Sequence, residues 1–136
     1  MGTEMMRCPG WEAGFAAEIE RARHIAFQWG VHDCAIWAFD MRRALVGCDA
    51  AQAWRGRYST AKGALRVLRR LGWASHQDGA TAIMGAPLAT PLLAQRGDIV
   101  LSDEVFGVCL GVEAAFLSPT GLTYRPISEC RIAWRV

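Results

Sequence analysis

Apolar side chains recur every three or four positions through the first half of the chain, then give way to short runs and alternations. After Pro9-Gly10, residues Trp11, Phe15, Ile19, Ala22 and Ala26 keep helical spacing, with Glu12, Glu18, Glu20, Arg21 and Arg23 on other faces. This pattern predicts a helix that runs to a glycine cap around Trp29-Gly30. A second helix follows at once. Asp33 is a good N-cap, Ile36, Trp37, Met41, Ala44 and Leu45 form the apolar stripe, and Gly47 ends it. A third starts at Ser59 or Thr60, runs through Ala61, Leu65, Leu68 and Leu71, and stops at Gly72, with Arg66, Arg69 and Arg70 on its wet face. From Trp73 to Gln95 the breakers Gly79, Gly85, Pro87 and Pro91 predict irregular chain. That length is unusual for a structureless loop and points to function or to a short hidden element.

The last third reads as strands: Ile99 to Leu101, Val105 to Leu110, Ala114 to Leu117, Leu122 to Tyr124 and Cys130 to Trp134. Ser118-Pro119-Thr120-Gly121 has the residues of a type I hairpin turn. In the final segment Cys130, Ile132 and Trp134 alternate with Arg131, Ala133 and Arg135, as in a half-buried edge strand. Helices first and short-linked strands afterwards predict an α+β fold, with the N-terminal helices packed on a C-terminal antiparallel sheet. No repeat or low-complexity tract divides the 136 residues, so residues 1–136 read as one domain.

Composition narrows the function classes. With 52% hydrophobic and 21% charged residues, the chain is too apolar for intrinsic disorder. A formal net charge of +2, with basic residues in pairs such as Arg42-Arg43 and Arg69-Arg70, gives no reason to expect a nucleic-acid partner. No apolar run approaches a bilayer span, so no membrane anchor is expected. Residues Met1 to Gly10 lack the apolar core of a secretory signal, and position 6 lacks the Ser or Thr of a myristoylation motif. The expected site of synthesis is a reducing cytoplasm.

Five cysteines, at positions 8, 34, 48, 109 and 130, are odd in number and widely spaced, which argues against a disulfide framework. No C-x-x-C pair occurs, so no cofactor or structural metal is expected. The plain expectation is five buried thiols. Cys34 differs from the rest because it directly follows the cap Asp33 and lies in a helix's first turn, where the dipole favours a thiolate. The neighbouring Asp33 carboxylate opposes that effect. Two readings stand: a nucleophile in need of a base, or a small helix-start residue packed under Trp37.

Asp33-Cys34 at a helix start, then Gly97-Asp98-Ile99-Val100-Leu101, then Gly107-Val108-Cys109-Leu110-Gly111, resembles the NlpC-type cell-wall cysteine peptidases, small papain-like domains also mounted on phage tails. A closer resemblance is to a mostly uncharacterised group of phage and prophage proteins. It rests on Phe27-x-Trp29-Gly30-x-His32-Asp33-Cys34, Arg55-Gly56-Arg57-Tyr58, Arg96-Gly97-Asp98 and the ending Cys130…Ala133-Trp134-Arg135. The resemblance covers nearly the whole chain and implies a papain-like, NlpC-like architecture with Cys34 at the nucleophile position. In the active peptidases the second strand opens with the catalytic His, and a polar residue on the next strand orients it. Here those places fall at about Val105 or Phe106 and at about Leu117, all apolar.

No histidine occurs after His76, so a base must come from elsewhere. His76 in the irregular segment is a relocated candidate, and His32 flanks the thiol two residues away. For both, a surface or satisfied interior histidine is the plainer account. His24 is placed on the exposed side of the first helix or against the second. The triplet His32-Asp33-Cys34 would hold a metal only by recruiting His76 or Cys109. The arginines at 55 and 57 either receive an anion at the third helix or pair with Asp40 or Asp49. Trp134 is a candidate interface anchor.

The resemblance and the missing base together lead to one expectation: a phage or prophage tail-tip or baseplate-associated protein in which a peptidase-like fold serves structure or assembly. Its partners would be other phage tail or hub proteins, and it would be made in the bacterial cytoplasm before joining the tail. The competing expectation is an active peptidase or amidase that cleaves peptidoglycan, with Cys34 as nucleophile and His76 or His32 as base.

Overall fold

A computed structural model describes residues 6–136. Residues 1–5, where the stretch read for targeting signals begins, lie outside them. Four helices precede a five-stranded antiparallel sheet. They are α1 (Trp11–His24), α2 (Cys34–Val46), α3 (Ala61–Arg70) and α4 (His76–Met84). The strands are β1 (Ile99–Ser102), β2 (Val105–Cys109), β3 (Glu113–Ser118), β4 (Gly121–Pro126) and β5 (Ile132–Trp134), in the spatial order β4-β3-β2-β1-β5. The α+β class expected from the sequence is therefore observed.

α2 is the central helix because it is apolar on most sides, so burial stabilises nearly all of it. Ile36, Trp37, Ala38, Met41 and Leu45 are fully buried, and they meet Ile99, Leu101, Val108 and Leu117 from the sheet in one cluster. Each such large side chain contributes roughly 1.5–3 kcal/mol by leaving water. The opposite sheet face carries a smaller cluster of Val100, Cys109, Ala114, Phe116, Ile127, Cys130 and Ala133, against which Leu88 and Ala94 pack.

The helix boundaries follow local chemistry. Asp33 caps α2 through the Ile36 N–H at 2.9 Å, Thr60 caps α3 through the Gly63 N–H, and Gly47 ends α2 in the left-handed region. α1 departs from expectation, stopping at His24 rather than near Trp29. Residues 28–32 instead close a tight turn, in which the Val31 and His32 N–H groups donate to the Gln28 carbonyl. The segment expected to be irregular contains α4. Ser75 accepts from the Asp78 N–H, so a one-turn cap overrides Gly79, whose missing side chain lets the Trp73 ring approach to 2.8 Å of a Cβ position.

β5 lies at a sheet edge as its alternation predicted, but Trp134 is fully buried, with Nε1–H donating to Thr81 Oγ1 at 3.2 Å. It is a core residue between α4 and the sheet, not an exposed anchor. Cys130 precedes β5 rather than joining it. The Arg96-Gly97-Asp98 motif also resolves into structure. Buried Asp98 accepts the N–H groups of Gln95 and Val136 at 2.8 Å and the guanidinium of Arg7 at 3.0 Å, with Arg135 at 3.1 Å. A Cβ on Gly97 would lie 2.6 Å from Leu45, so glycine lets this turn sit on α2.

Candidate functional site

Cys34 is half-buried at the first position of α2, and its surroundings are set by the turn before it. Gly30 adopts φ +81°, and a Cβ there would lie 2.0 Å from the Tyr58 carbonyl oxygen. Only glycine permits that approach. It allows the Gly56 N–H to donate to the Gly30 carbonyl at 2.8 Å, which fastens the Arg55–Tyr58 loop to the helix start. Asp33, buried, organises the rest. Its Oδ1 caps Ile36, and its Oδ2 accepts from the Gly30 N–H at 2.8 Å and from the Tyr58 hydroxyl at 2.6 Å. Burial and the adjoining Asp33 carboxylate push the Tyr58 phenol far above its ordinary value, so it is a permanent donor. The motifs Gly30-x-x-Asp33 and Arg55-Gly56-Arg57-Tyr58 are thus one hydrogen-bonded unit.

The thiol is not activated by this setting. Burial pushes Cys34 up to about 11, and the Asp33 charge adds to the rise. The backbone N–H groups of Phe106, Ala35 and Cys34 itself act in the other direction without cancelling it. From the sequence, the helix position favoured a thiolate and Asp33 opposed it, leaving a nucleophile and a packed helix-start residue as the two readings. The helix amides do favour the thiolate, but desolvation is the larger effect.

β2 brings Phe106 to Cys34. The Phe106 ring, 4% exposed, packs edge-on against Phe39 and His76, with centroids at 5.9 and 5.7 Å, and lies 6.2 Å from Trp134. Leu117 on β3 is equally buried in the main core. Of the apolar positions read from the sequence as standing where polar groups would be needed, Phe106 and Leu117 are core residues, whereas Val105, which opens β2, is 37% exposed.

Among the described residues no hydrogen bond joins Cys34 to an imidazole. His32 is 2% exposed, and neither ring nitrogen has a hydrogen-bond partner. Burial and Arg21 push it below an ordinary histidine, while Asp40 and Asp33 oppose the shift. His76 does come near the helix start. At the first position of α4 it lines, with Ala35 and Phe106, a narrow apolar cleft that is partly open to solvent. Its Nδ1, however, pairs with Glu104 Oε2 at 2.9 Å. Glu104 is presented by the two-residue β1–β2 turn, where Asp103 and Glu104 hold φ of +48° and +66°, and Arg131 lies 3.7 Å from its carboxylate. His24 is exposed and bonded to Glu20 at 2.8 Å.

Of the two readings for the Arg55 loop, pairing is observed. Arg55 reaches Asp40 at 2.6 Å and Asp49 at 2.9 Å, whereas Arg57 pairs with neither. The expectation of five buried thiols fails for Cys8 and Cys48, which are exposed, and holds for Cys109 and Cys130. Among the described residues no three His, Cys, Asp or Glu side chains converge to hold a metal ion, and no helix is long and apolar enough to cross a membrane. Sequence reasoning missed Glu104, which no motif marks, and the Tyr58–Asp33 bond, whose residues were noted without their connection.

No curated protein and no solved structure matches the chain. Residues 6–136 match the profile described as Domain of unknown function (DUF6950), and the chain belongs to that family.

Proposed function

We propose that this protein is a non-catalytic member of the NlpC-like, papain-like architecture that serves in the tail tip or baseplate of a phage or prophage, as a structural or assembly component. The observation that carries the reading is the apolar replacement at the thiol. Cys34 starts a helix as a nucleophile would, yet the strand residue whose amide faces it is Phe106, and the thiol is pushed up to about 11. Catalysis would need a thiolate and an aligned base at neutral pH. His76 is engaged by Glu104, and His32 is enclosed near Arg21 and Asp40. The tail assignment comes from the motif resemblance, and partner proteins are its corollary.

The test is complementation of a phage lacking this gene with wild-type or Cys34→Ala protein. The expected result is that both restore tailed, infectious particles that contain the chain. Particles that assemble with Cys34→Ala but lose peptidoglycan cleavage and infectivity would establish the peptidase or amidase reading instead.

A further inference from the structure

The distribution of charge on the helical side is uneven in a way the net charge conceals. Elsewhere most arginines meet carboxylates, as Arg7 meets Asp98, Arg21 meets Asp40, Arg125 meets Asp103 and Arg131 meets Glu104, and Arg55 reaches back to Asp40 and Asp49. Between Asp49 and Asp78 the chain has no acidic residue at all. Within that stretch Arg57, Lys62, Arg66, Arg69 and Arg70 are exposed, and none pairs with a carboxylate among the described residues.

The same helix leaves apolar surface uncovered. Only Val67 of α3 is buried, while Leu65 is 47% and Leu71 36% exposed. Leu65, Leu68 and Leu71, spaced by three, form one stripe, and Lys62, Arg66, Arg69 and Arg70 flank it. Leu68 and Leu71 continue into the cleft lined by Trp54, Trp73 and Ile83. A leucine stripe beside unpaired guanidinium groups is the complement of a surface carrying carboxylates and apolar side chains. Nucleic acid would use the cations through its phosphates and leave the leucines exposed to water.

We propose that α3 and the mouth of the adjoining cleft are a docking surface for an acidic, leucine-bearing protein segment. Carboxylates of the partner engage Arg66, Arg69 and Arg70, and its apolar side chains cover Leu65 and Leu71. This deepens the assembly reading and rests on it for the identity of the partner as a tail protein.

Binding is measured by fluorescence anisotropy with a labelled helix-forming Glu/Leu peptide. Its Lys/Leu counterpart, a short DNA duplex and phosphatidylglycerol–phosphatidylcholine vesicles serve as competing probes. The expected result is preference for the Glu/Leu peptide, weakened at least about tenfold in both the R66E/R69E/R70E and the L65S/L71S variants and unchanged in R23E on α1. R66A/R69A/R70A carries the same test if charge reversal disturbs the circular dichroism spectrum. No binding of the Glu/Leu peptide, an affinity unchanged in the arginine variants, or tighter binding of duplex or vesicles overturns the proposal. Particle composition separates the two failures. Wild-type protein absent from particles refutes the assembly reading, whereas α3 variants that enter particles at wild-type level refute the docking surface alone.

Discussion

Removing the Asp33 carboxylate tests the unit that holds the helix start. In Asp33→Ala the cap of α2 is lost, which costs about 1 kcal/mol. The Gly30 N–H, enclosed by the Tyr58 backbone, is left without its 2.8 Å acceptor, at roughly 1–3 kcal/mol for a buried orphan. The Tyr58 hydroxyl loses a bond to a charged group at 2.6 Å, worth roughly 1.5–3 kcal/mol, but it is only half-buried and recovers part of that in water. The expected loss is about 3–4 kcal/mol, a large share of the 5–15 kcal/mol typical of a domain. Tyr58→Phe removes one of the three bonds and is expected to cost about 1.5 kcal/mol. Because the two residues share that bond, the double variant should be less unstable than the sum by about 1–1.5 kcal/mol. Urea unfolding of the four proteins, with equal m-values, measures all three numbers. A Tyr58→Phe loss below about 0.5 kcal/mol, or additivity within about 0.3 kcal/mol, would refute the claim that Asp33 and Tyr58 form one unit.

Gly30→Ala forces a Cβ against the Tyr58 carbonyl at a left-handed φ, so a loss above about 3 kcal/mol, or failure to yield soluble protein, is expected from thermal melts. His32 titrates below its ordinary value when folded, so protons bind the unfolded chain first. Stability should therefore fall as pH drops below about 6.5, and His32→Leu should flatten that part of a pH series of urea midpoints while being neutral or stabilising at pH 7. Under native conditions iodoacetamide should modify the exposed Cys8 and Cys48 first, and Cys34 only as pH nears 11. A Cys34 midpoint below an ordinary thiol's, read by peptide mass spectrometry, would contradict the burial argument.

What could be read from the sequence was what local chemistry decides. The caps Asp33 and Thr60 and the stops Gly47 and Gly72 are fixed by the few residues around them, so α2 and α3 were legible almost to the residue. The five strands were legible because short apolar or aromatic runs are bounded by turn and polar residues. α4 was hidden behind Gly79, whose absent side chain answers to the Trp73 ring, a tertiary contact. The candidate site divides along the same line. The place of Cys34 in its helix is local and was legible. Its high pKa depends on what β2 lays over it, and the engagement of His76 by Glu104 joins residues 28 positions apart. The surroundings of Trp134 and His32 are likewise set by packing partners that no spacing rule identifies.

The chemistry around Cys34 can be weighed as a competition for the thiolate. The α2 amides and the Phe106 N–H favour the anion, while burial and Asp33 disfavour it, and the balance lies near 11. At pH 7 that leaves on the order of one thiolate in ten thousand. A catalytic reading has to overcome this population with an imidazole at the sulfur, and the two nearest in sequence or space have other surroundings. His76 would have to leave Glu104, and His32 would have to leave a closed site near Arg21 and Asp40. Asp33 cannot relax to help, because its oxygens hold Ile36, Gly30 and Tyr58 in place. The same bonds that make the helix start rigid hold the Asp33 charge beside the thiol, where it adds to the burial that keeps the thiol protonated. A role in assembly asks for that rigidity and requires no rearrangement at Cys34.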